Sequence, residues 1–299
     1  MQLNQEDITY LRTLHLSILT PMYAGLCYGS YTNALMQFQM YAQQVGLKFS
    51  YQSLSNESLI TRGRNTLIAK AMFDKTVTHV LFIDADLAFS PEHIFKLLLH
   101  KKEMIAGLYP KKTLPPDFVV NCSPEFVGSD GQIKLENGLM PITRAGTGFL
   151  LISRETIEKL MIAYPSTKFN NNIGLPKELD EYMYNLFDCW VSTDNARELL
   201  SEDWAFCCRA RGIGIDIWAD PSVRIPHIGT FQFPVDGEFF KNMGIDLEVN
   251  KQLVPKIAVR PDEVSPDGKI YMPLQPDLDA LKRYEDGKQV AKQFGDIVI

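Results

Sequence analysis

Hydrophobic and polar positions along the chain fall into a strand-then-helix order. LHLSILTP (14–21) is an apolar run closing on Thr-Pro and reads as a first buried strand. Residues 30–46 read as a helix with Gly46 just beyond its end. LKFSYQSL (47–54) alternates apolar and polar positions, the period of a strand. Residues 60–75 predict a helix with Arg62, Arg64 and Asn65 in its first turns. VTHVLFID (77–84) is nearly continuous in apolar residues, the pattern of a parallel strand covered on both faces. Ser90-Pro91-Glu92 then opens a helix, with Ser as N-cap and Pro at the first helical position.

EMIAGLY (103–109) predicts a further strand, followed by Pro- and Gly-rich connections over 110–145. AGTGFLLIS (145–153) reads as a strand and RETIEKLM as the start of a helix. Residues 165–182 read as loop, and YNLFDCWVS (184–192) as a strand. Ser201-Glu202-Asp203 caps a helix running to about Arg211, and GIDIWAD (214–220) is a short strand. Beyond about residue 230 the pattern weakens to an irregular extension with a late helix near 277–293. Repeated β-α-β units predict an α/β fold, a three-layer α/β/α sandwich on a mostly parallel sheet. The 299 residues divide on this reading into a domain over 1–230 and an extension, 231–299, packed on it.

Composition narrows the class. With 45% hydrophobic and 22% charged residues the chain is globular. A net charge of -6 disfavours a broad nucleic-acid-binding face, so no nucleic-acid partner is expected. Residues 16–47 carry no charge but contain Pro21, three Gly and many polar residues, so no transmembrane segment is expected. Five Cys without a CxxC pair argue against a disulfide framework and a Cys-based zinc site. With no signal-peptide pattern at the start, a cytoplasmic location is expected; a host cytoplasm would fit a viral chain equally.

Asp84-Ala85-Asp86 follows the apolar strand VLFI, at the end where open α/β sheets bind ligands. Two carboxylates so spaced can share a divalent cation, or divide between cation and sugar hydroxyls; the plain alternative is a solvated turn. His227 precedes Gly in PHIG, where a ligand can approach closely, although a lone His is more often structural. Glu202 and Asp203 at a helix start suit the dipole, or supply a general base. Arg62 and Arg64 oppose the dipole of their helix, and with the free N–H groups there they suit a diphosphate as well as a solvated basic turn. Ala145-Gly146-Thr147-Gly148 lets backbone approach a ligand, or is a turn before a core strand.

Taken in order, the Thr-Pro strand end, RGRN, FIDAD, GTGFLLISR, EDWAFCCRARG and PHIG resemble a nucleotide-sugar glycosyltransferase of the GT-A fold over roughly residues 14–230. FIDAD looks like that family's DxD motif, and SEDWAFCCRARG resembles the ED helix of inverting family-2-like enzymes. The resemblance implies that Thr20, Pro21 and Tyr23 meet the base and ribose, and that Arg62, Arg64 and Asn65 meet ribose or diphosphate. It implies Asp84 at ribose, sugar or metal beside Ala85, with Asp84, Asp86 and His227 holding Mn²⁺ or Mg²⁺. Gly146, Thr147 and Gly148 would line the donor–acceptor junction, and Trp204 would face a sugar or pack. Asp203, or alternatively Glu202, would deprotonate an acceptor hydroxyl as it attacks a UDP- or GDP-sugar, inverting the anomeric carbon. The acceptor would be a glycan or another hydroxyl compound. No QxxRW-type motif follows the ED helix, a departure from processive family-2 synthases.

Three other readings compete. A HAD-type phosphatase would use Asp84 as nucleophile, but Ala88 stands where that class has Thr or Val. A nucleotidylyltransferase would want basic residues after the first strand, and residues 23–31 have none. A non-catalytic sugar-binding module would keep the fold without needing Asp84, Asp86, Asp203 and His227 together.

Overall fold

The computed structural model describes residues 2–113, 117–122, 124–194, 196–229, 232–233, 256–259, 270 and 272–294. Helix α1 (Gln5–Arg12) is closed by an Asn4–Asp7 capping box, and β1 (His15–Met22) follows it. Next come α2 (Gly29–Val45), β2 (Lys48–Ser55), α3 (Ile60–Phe73), β3 (His79–Ile83), α4 (Pro91–Leu99) and β4 (Met104–Leu108). Gly46 ends α2 at φ 79°, a left-handed position that suits Gly.

The central sheet has seven strands in the order β2-β1-β3-β8-β4-β11-β6, with β8 at Phe149–Ser153, β11 at Ile217–Arg224 and β6 at Met140–Ile142. β2, β1 and β3 run parallel, as do β4 and β11. β8 lies antiparallel between β3 and β4, and β6 antiparallel on β11. Side-chain alternation divides the interior in two. Val80 and Phe82 face one core with residues of α3, α5 (Arg154–Ala163) and α6 (Glu202–Gly212). Leu81 and Ile83 face the other, with Phe38 of α2 and Ile94 and Leu98 of α4. This is the three-layer α/β/α sandwich on a mostly parallel sheet that the strand–helix order predicts.

Three segments depart from the sequence reading. The 110–145 connections contain β5 (Asp117–Cys122), β6 and β7 (Arg144–Ala145). Pro141 hides β6 in the sequence, and it is tolerated because β6 is the sheet's edge. β5 pairs with β7 and with a short strand at Lys256–Val259 in a small second sheet. The expected strand over 184–192 is confined to β9 (Trp190–Val191), which pairs with β10 (Leu199–Leu200). Upstream, Phe187 stacks on Phe206 at 4.2 Å, and Asn65 takes the hydrogen bonds that a neighbouring strand would have supplied. β11 runs on through Pro221 to Arg224, with a register shift after Asp220.

A final helix, Leu278–Phe294, lies against α5, with Tyr284 Oη donating to Glu158 at 2.8 Å. Most of the expected extension, 231–299, lies outside the described residues.

Candidate active site

The carboxyl ends of β1, β3, β4 and β11 and the start of the antiparallel β8 meet at one edge of the sheet. There the chain places Pro21, Asp84, Ala85, Asp86, Tyr109, Gly148 and His227. The turn after β3 is fixed by backbone: Asp84 N–H donates to Gly148 O at 2.9 Å and Leu87 N–H to Asp84 O at 3.2 Å. The His227 segment is zipped onto it, with Ile228 N–H donating to Asp86 O at 2.8 Å and Ala88 N–H to Pro226 O at 3.0 Å.

Asp86 and His227 come together, with His227 Nε2 3.4 Å from Asp86 Oδ1. His227 Nδ1 donates to Pro110 O at 2.8 Å, which fixes the ring with Nε2 towards Asp86. The Lys112 ammonium caps Asp86 Oδ2. Burial pushes Asp86 up, but the hydrogen bonds from His227 and Lys112 outweigh it and hold the carboxyl at about 2. Of the three expected ligands, the structure joins Asp86 and His227, whereas Asp84 accepts from Arg64. Among the described residues no group of three or more His, Cys, Asp or Glu is arranged to hold a metal. The pair still fits a divalent cation: the carboxylate already holds a cationic group, and the imidazole is oriented through its other nitrogen. Two protein ligands leave the remaining positions to water and phosphate oxygens, the shell Mg²⁺ favours.

Arg64 links two motifs that lie far apart in sequence. Its Nη1 and Nη2 donate to Asp84 Oδ1 at 3.3 Å, and its Nε to Glu202 Oε1 at 3.3 Å. The guanidinium is buried over the Phe82 ring. Burial works against its charge, but Asp84 and then Glu202 more than offset that and raise its pKa. Beside it, burial and then the Glu202 charge raise the Asp203 carboxyl. Asp203 Oδ1 accepts from Ser201 Oγ and from Trp204 N–H at 2.8 Å, while Oδ2 has no hydrogen-bond partner among the described residues. Trp204 packs under the Arg144 guanidinium at 4.6 Å.

A cavity of about 710 Å³ opens on this edge, lined by Pro21, Tyr23, Tyr28, Arg64 and Asp84–Asp86 among others. Tyr28 ties its rim, donating from N–H to Ala85 O at 3.1 Å and from Oη to Gly229 O at 3.1 Å. Thr20 is fully buried with its hydroxyl 2.5 Å from Tyr31 Oη, and does not line this cavity. Arg62 and Asn65 line a second cavity instead. Glu57 holds Arg62 through two hydrogen bonds, at 2.7 and 2.9 Å, and also accepts from the Leu59 N–H at 2.9 Å. The hydrogen bond from Arg62 is the main reason the Glu57 carboxyl lies below its usual range. Glu57 thereby answers the helix dipole that Arg62 opposes.

Gly146 and Gly148 make room for a protein side chain. A Cβ on Gly148 would lie 2.7 Å from Tyr109 Oη, and one on Gly146 would collide with the same hydroxyl. Tyr109 Oη accepts from the Gly148 N–H at 2.8 Å. Thr147 is buried, and its hydroxyl has no hydrogen-bond partner among the described residues. Sequence reasoning missed Tyr109, Glu57, Lys112 and Tyr28. Only Tyr109 left a signal, since it ends a strand whose neighbour begins Gly-Thr-Gly.

No family model matches the chain, and no curated protein matches it. Among solved structures, A197 from STIV is 14% identical with a TM-score of 0.44, covering 72% of this chain and 86% of its own. GalNAc-T7, solved with UDP, GalNAc and Mn²⁺, is 12% identical with a TM-score of 0.40, covering 72% of this chain and 44% of its own. A glycosyltransferase involved in glycosylation of the major capsid of PBCV-1 is 14% identical with a TM-score of 0.27, covering 48% and 62%.

Proposed function

We propose that the chain is a metal-dependent glycosyltransferase that moves a sugar from a UDP- or GDP-sugar to an acceptor hydroxyl with inversion. The observation that carries this reading is the pairing of Asp86, on the wall of the first cavity, with His227, one carboxylate and one oriented imidazole from distant segments. Asp86 and His227 would hold Mn²⁺ or Mg²⁺, which neutralises charge on the leaving diphosphate when bound. Pro21 and Tyr23 would take the base and ribose, with Ala85 at the floor. Arg64 bonds to both Asp84 and Glu202 and would hold them in place beside the donor.

Asp203 would act as base. Its raised pKa makes it a better proton acceptor than an exposed Asp, and its Oδ2 has no hydrogen-bond partner among the described residues. As the acceptor oxygen attacks the anomeric carbon, its proton passes to Asp203 and the sugar–phosphate bond breaks. Glu202, bonded to Arg64, is the weaker candidate for base. The phosphatase alternative is less well supported, because Asp84 Oδ1 is bound to a buried guanidinium that would blunt a nucleophile.

The test is a thermal-shift panel with UDP and GDP, each with and without Mn²⁺. A nucleotide at 100 times its dissociation constant should add about 2.7 kcal/mol. A metal-dependent shift that disappears in Asp86→Ala and His227→Ala, with unchanged melting of the unliganded variants, is the expected result. A folded sample that shifts with neither nucleotide would refute the reading.

A further inference from the structure

One short segment after β4 touches each member of the Asp86–His227 pair. The Tyr109 ring stands perpendicular to the His227 imidazole, with centroids 5.5 Å apart, and Pro110 O accepts from His227 Nδ1 at 2.8 Å. Two residues further on, the Lys112 ammonium donates to Asp86 Oδ2. The base of the segment is fixed, because Pro110 bridges Phe118 and Lys111 N–H donates to Asp117 O at 2.6 Å. Lys112 is thereby held on a carboxylate that lines the first cavity.

Charge at this centre is already matched. The Asp86 carboxylate carries the Lys112 ammonium on one oxygen, and its other oxygen lies 3.4 Å from His227 Nε2. An imidazole offers a ligand atom but no negative charge. Asp84, the other carboxylate of the turn, is bonded to Arg64. A divalent cation that reaches Asp86 Oδ1 and His227 Nε2 by itself therefore shares one carboxylate with an ammonium. If Lys112 stays on Oδ2 the two cations repel; if it leaves, a charge-assisted hydrogen bond is lost. Both outcomes oppose the lone cation. Asp86 is 28% and Lys112 37% exposed, so water screens this antagonism only in part. A diphosphate reverses the balance, since its own oxygens answer the cation and the ammonium together.

We infer that Lys112 makes cation binding at Asp86 and His227 conditional on an anionic ligand: a divalent cation alone is held weakly, and one that arrives with a diphosphate is held firmly. The placement of the cation rests on the glycosyltransferase reading; the antagonism between Lys112 and that cation goes beyond it. Cation and diphosphate are then positively coupled, each raising the affinity for the other by the same factor.

The test measures Mn²⁺ bound to the full chain by electron paramagnetic resonance, without nucleotide, for the wild type, Lys112→Met and Lys111→Met. Methionine keeps an unbranched stem and removes the ammonium. Lys111→Met removes the same charge from the adjacent, exposed residue. Lys112→Met should bind Mn²⁺ about tenfold more tightly than the wild type, the size of one charge-assisted hydrogen bond. Lys111→Met should change by less than roughly twofold, because an exposed charge is screened. Asp86→Ala should abolish the gain in Lys112→Met, which locates it. In parallel thermal shifts, UDP should strengthen the Mn²⁺ effect more in the wild type than in Lys112→Met. Equal Mn²⁺ affinity in the wild type and Lys112→Met would overturn the inference, and so would an equal gain in Lys111→Met. Weaker binding in Lys112→Met would overturn it as well, making Lys112 a support for Asp86. No Mn²⁺ bound by any variant, with or without UDP, would refute the metal reading and this inference together. A UDP-dependent Mn²⁺ shift with equal affinities in the wild type and Lys112→Met would refute this inference alone.

Discussion

His93 holds the start of α4 in a way that only its neutral form can. Its Nδ1 accepts from the Ser90 N–H at 3.2 Å, and a proton there would turn acceptor into donor. Burial lowers its pKa from the ordinary 6.5 to about 4. The folded state therefore refuses a proton that the unfolded chain takes up. Stability should fall as the pH drops below about 6.5 and level off near 4. His93→Gln keeps a Ser-x-x-Gln capping box without the titration, so its melting temperature should fall less between pH 7 and 4.5. An unchanged slope would exclude His93 as a source. Asp203 works in the opposite direction on activity: burial raises its pKa, so turnover should rise with pH through that value. Asp203→Asn should retain the metal-dependent UDP shift and lose roughly 10²–10⁴-fold in transfer rate. A Glu202→Gln enzyme more impaired than Asp203→Asn would move the base to Glu202. At this scale the carboxylates and the late His were legible, because acids after an apolar strand and a His before Gly stand out. Glu57 and Lys112 were not, since a charged residue in a polar loop looks like any other until the fold supplies its partner.

Among the elements, α3 is the best example of what periodicity shows and what it hides. Its extent is written in the sequence, but the reason Asn65 is buried is not. Asn65 Nδ2 donates to Asn185 Oδ1 and Phe187 O, and Oδ1 accepts from the Phe187 N–H, all at 2.9 Å. One side chain thus does for residues 185–187 what a neighbouring strand would do, and so the apolar run there reads as a strand without being one. Asn65→Ala should leave buried backbone groups unpaired and cost about 1–3 kcal/mol per group, seen as a lower midpoint in urea. The Gly146–Gly148 turn is read in the same way. Its glycines answer to the Tyr109 hydroxyl, so Gly148→Ala should destabilise by roughly 1–3 kcal/mol through overpacking. Recovery in a Gly148→Ala, Tyr109→Leu double variant, which removes both the hydroxyl and the ring carbon that would lie 2.7 Å from the new Cβ, would identify that contact as the cause.

On the scale of the whole molecule, the sandwich followed from the alternation of strand and helix, because strands covered on both faces must be apolar throughout. The order of strands did not follow, since nothing in β8 itself marks it as antiparallel. Asp220 shows how distant parts are joined: His100 Nε2 lies 2.9 Å from its Oδ2, linking the end of α4 to β11. Burial pushes the Asp220 carboxyl up, but the hydrogen bonds from His100 and Ser222 hold it at about 2, below the ordinary 3.8. This stabilisation is present above about pH 4 and is lost as the pH falls through 2; the shift corresponds to about 2 kcal/mol. Asp220→Asn should therefore lower stability at pH 6 and narrow its difference from the wild type towards pH 2, measured by urea unfolding.

The insertion of β8 between β3 and β4 also dictates an order of events during synthesis. β3 and β4 are 21 residues apart from the end of one to the start of the other, yet neither gains its inner neighbour until residues 149–153 have left the ribosome. Until then β3 is paired on one side alone and β4 on neither, and unpaired apolar edges are prone to wrong pairing and to aggregation. β8 then joins both and delivers Gly148 to Asp84, while β11, the partner on the other side of β4, follows only at residues 217–224. The outer edge of β4 therefore stays unpaired until residues 217–224 are made, and the candidate active site is complete only when His227 follows.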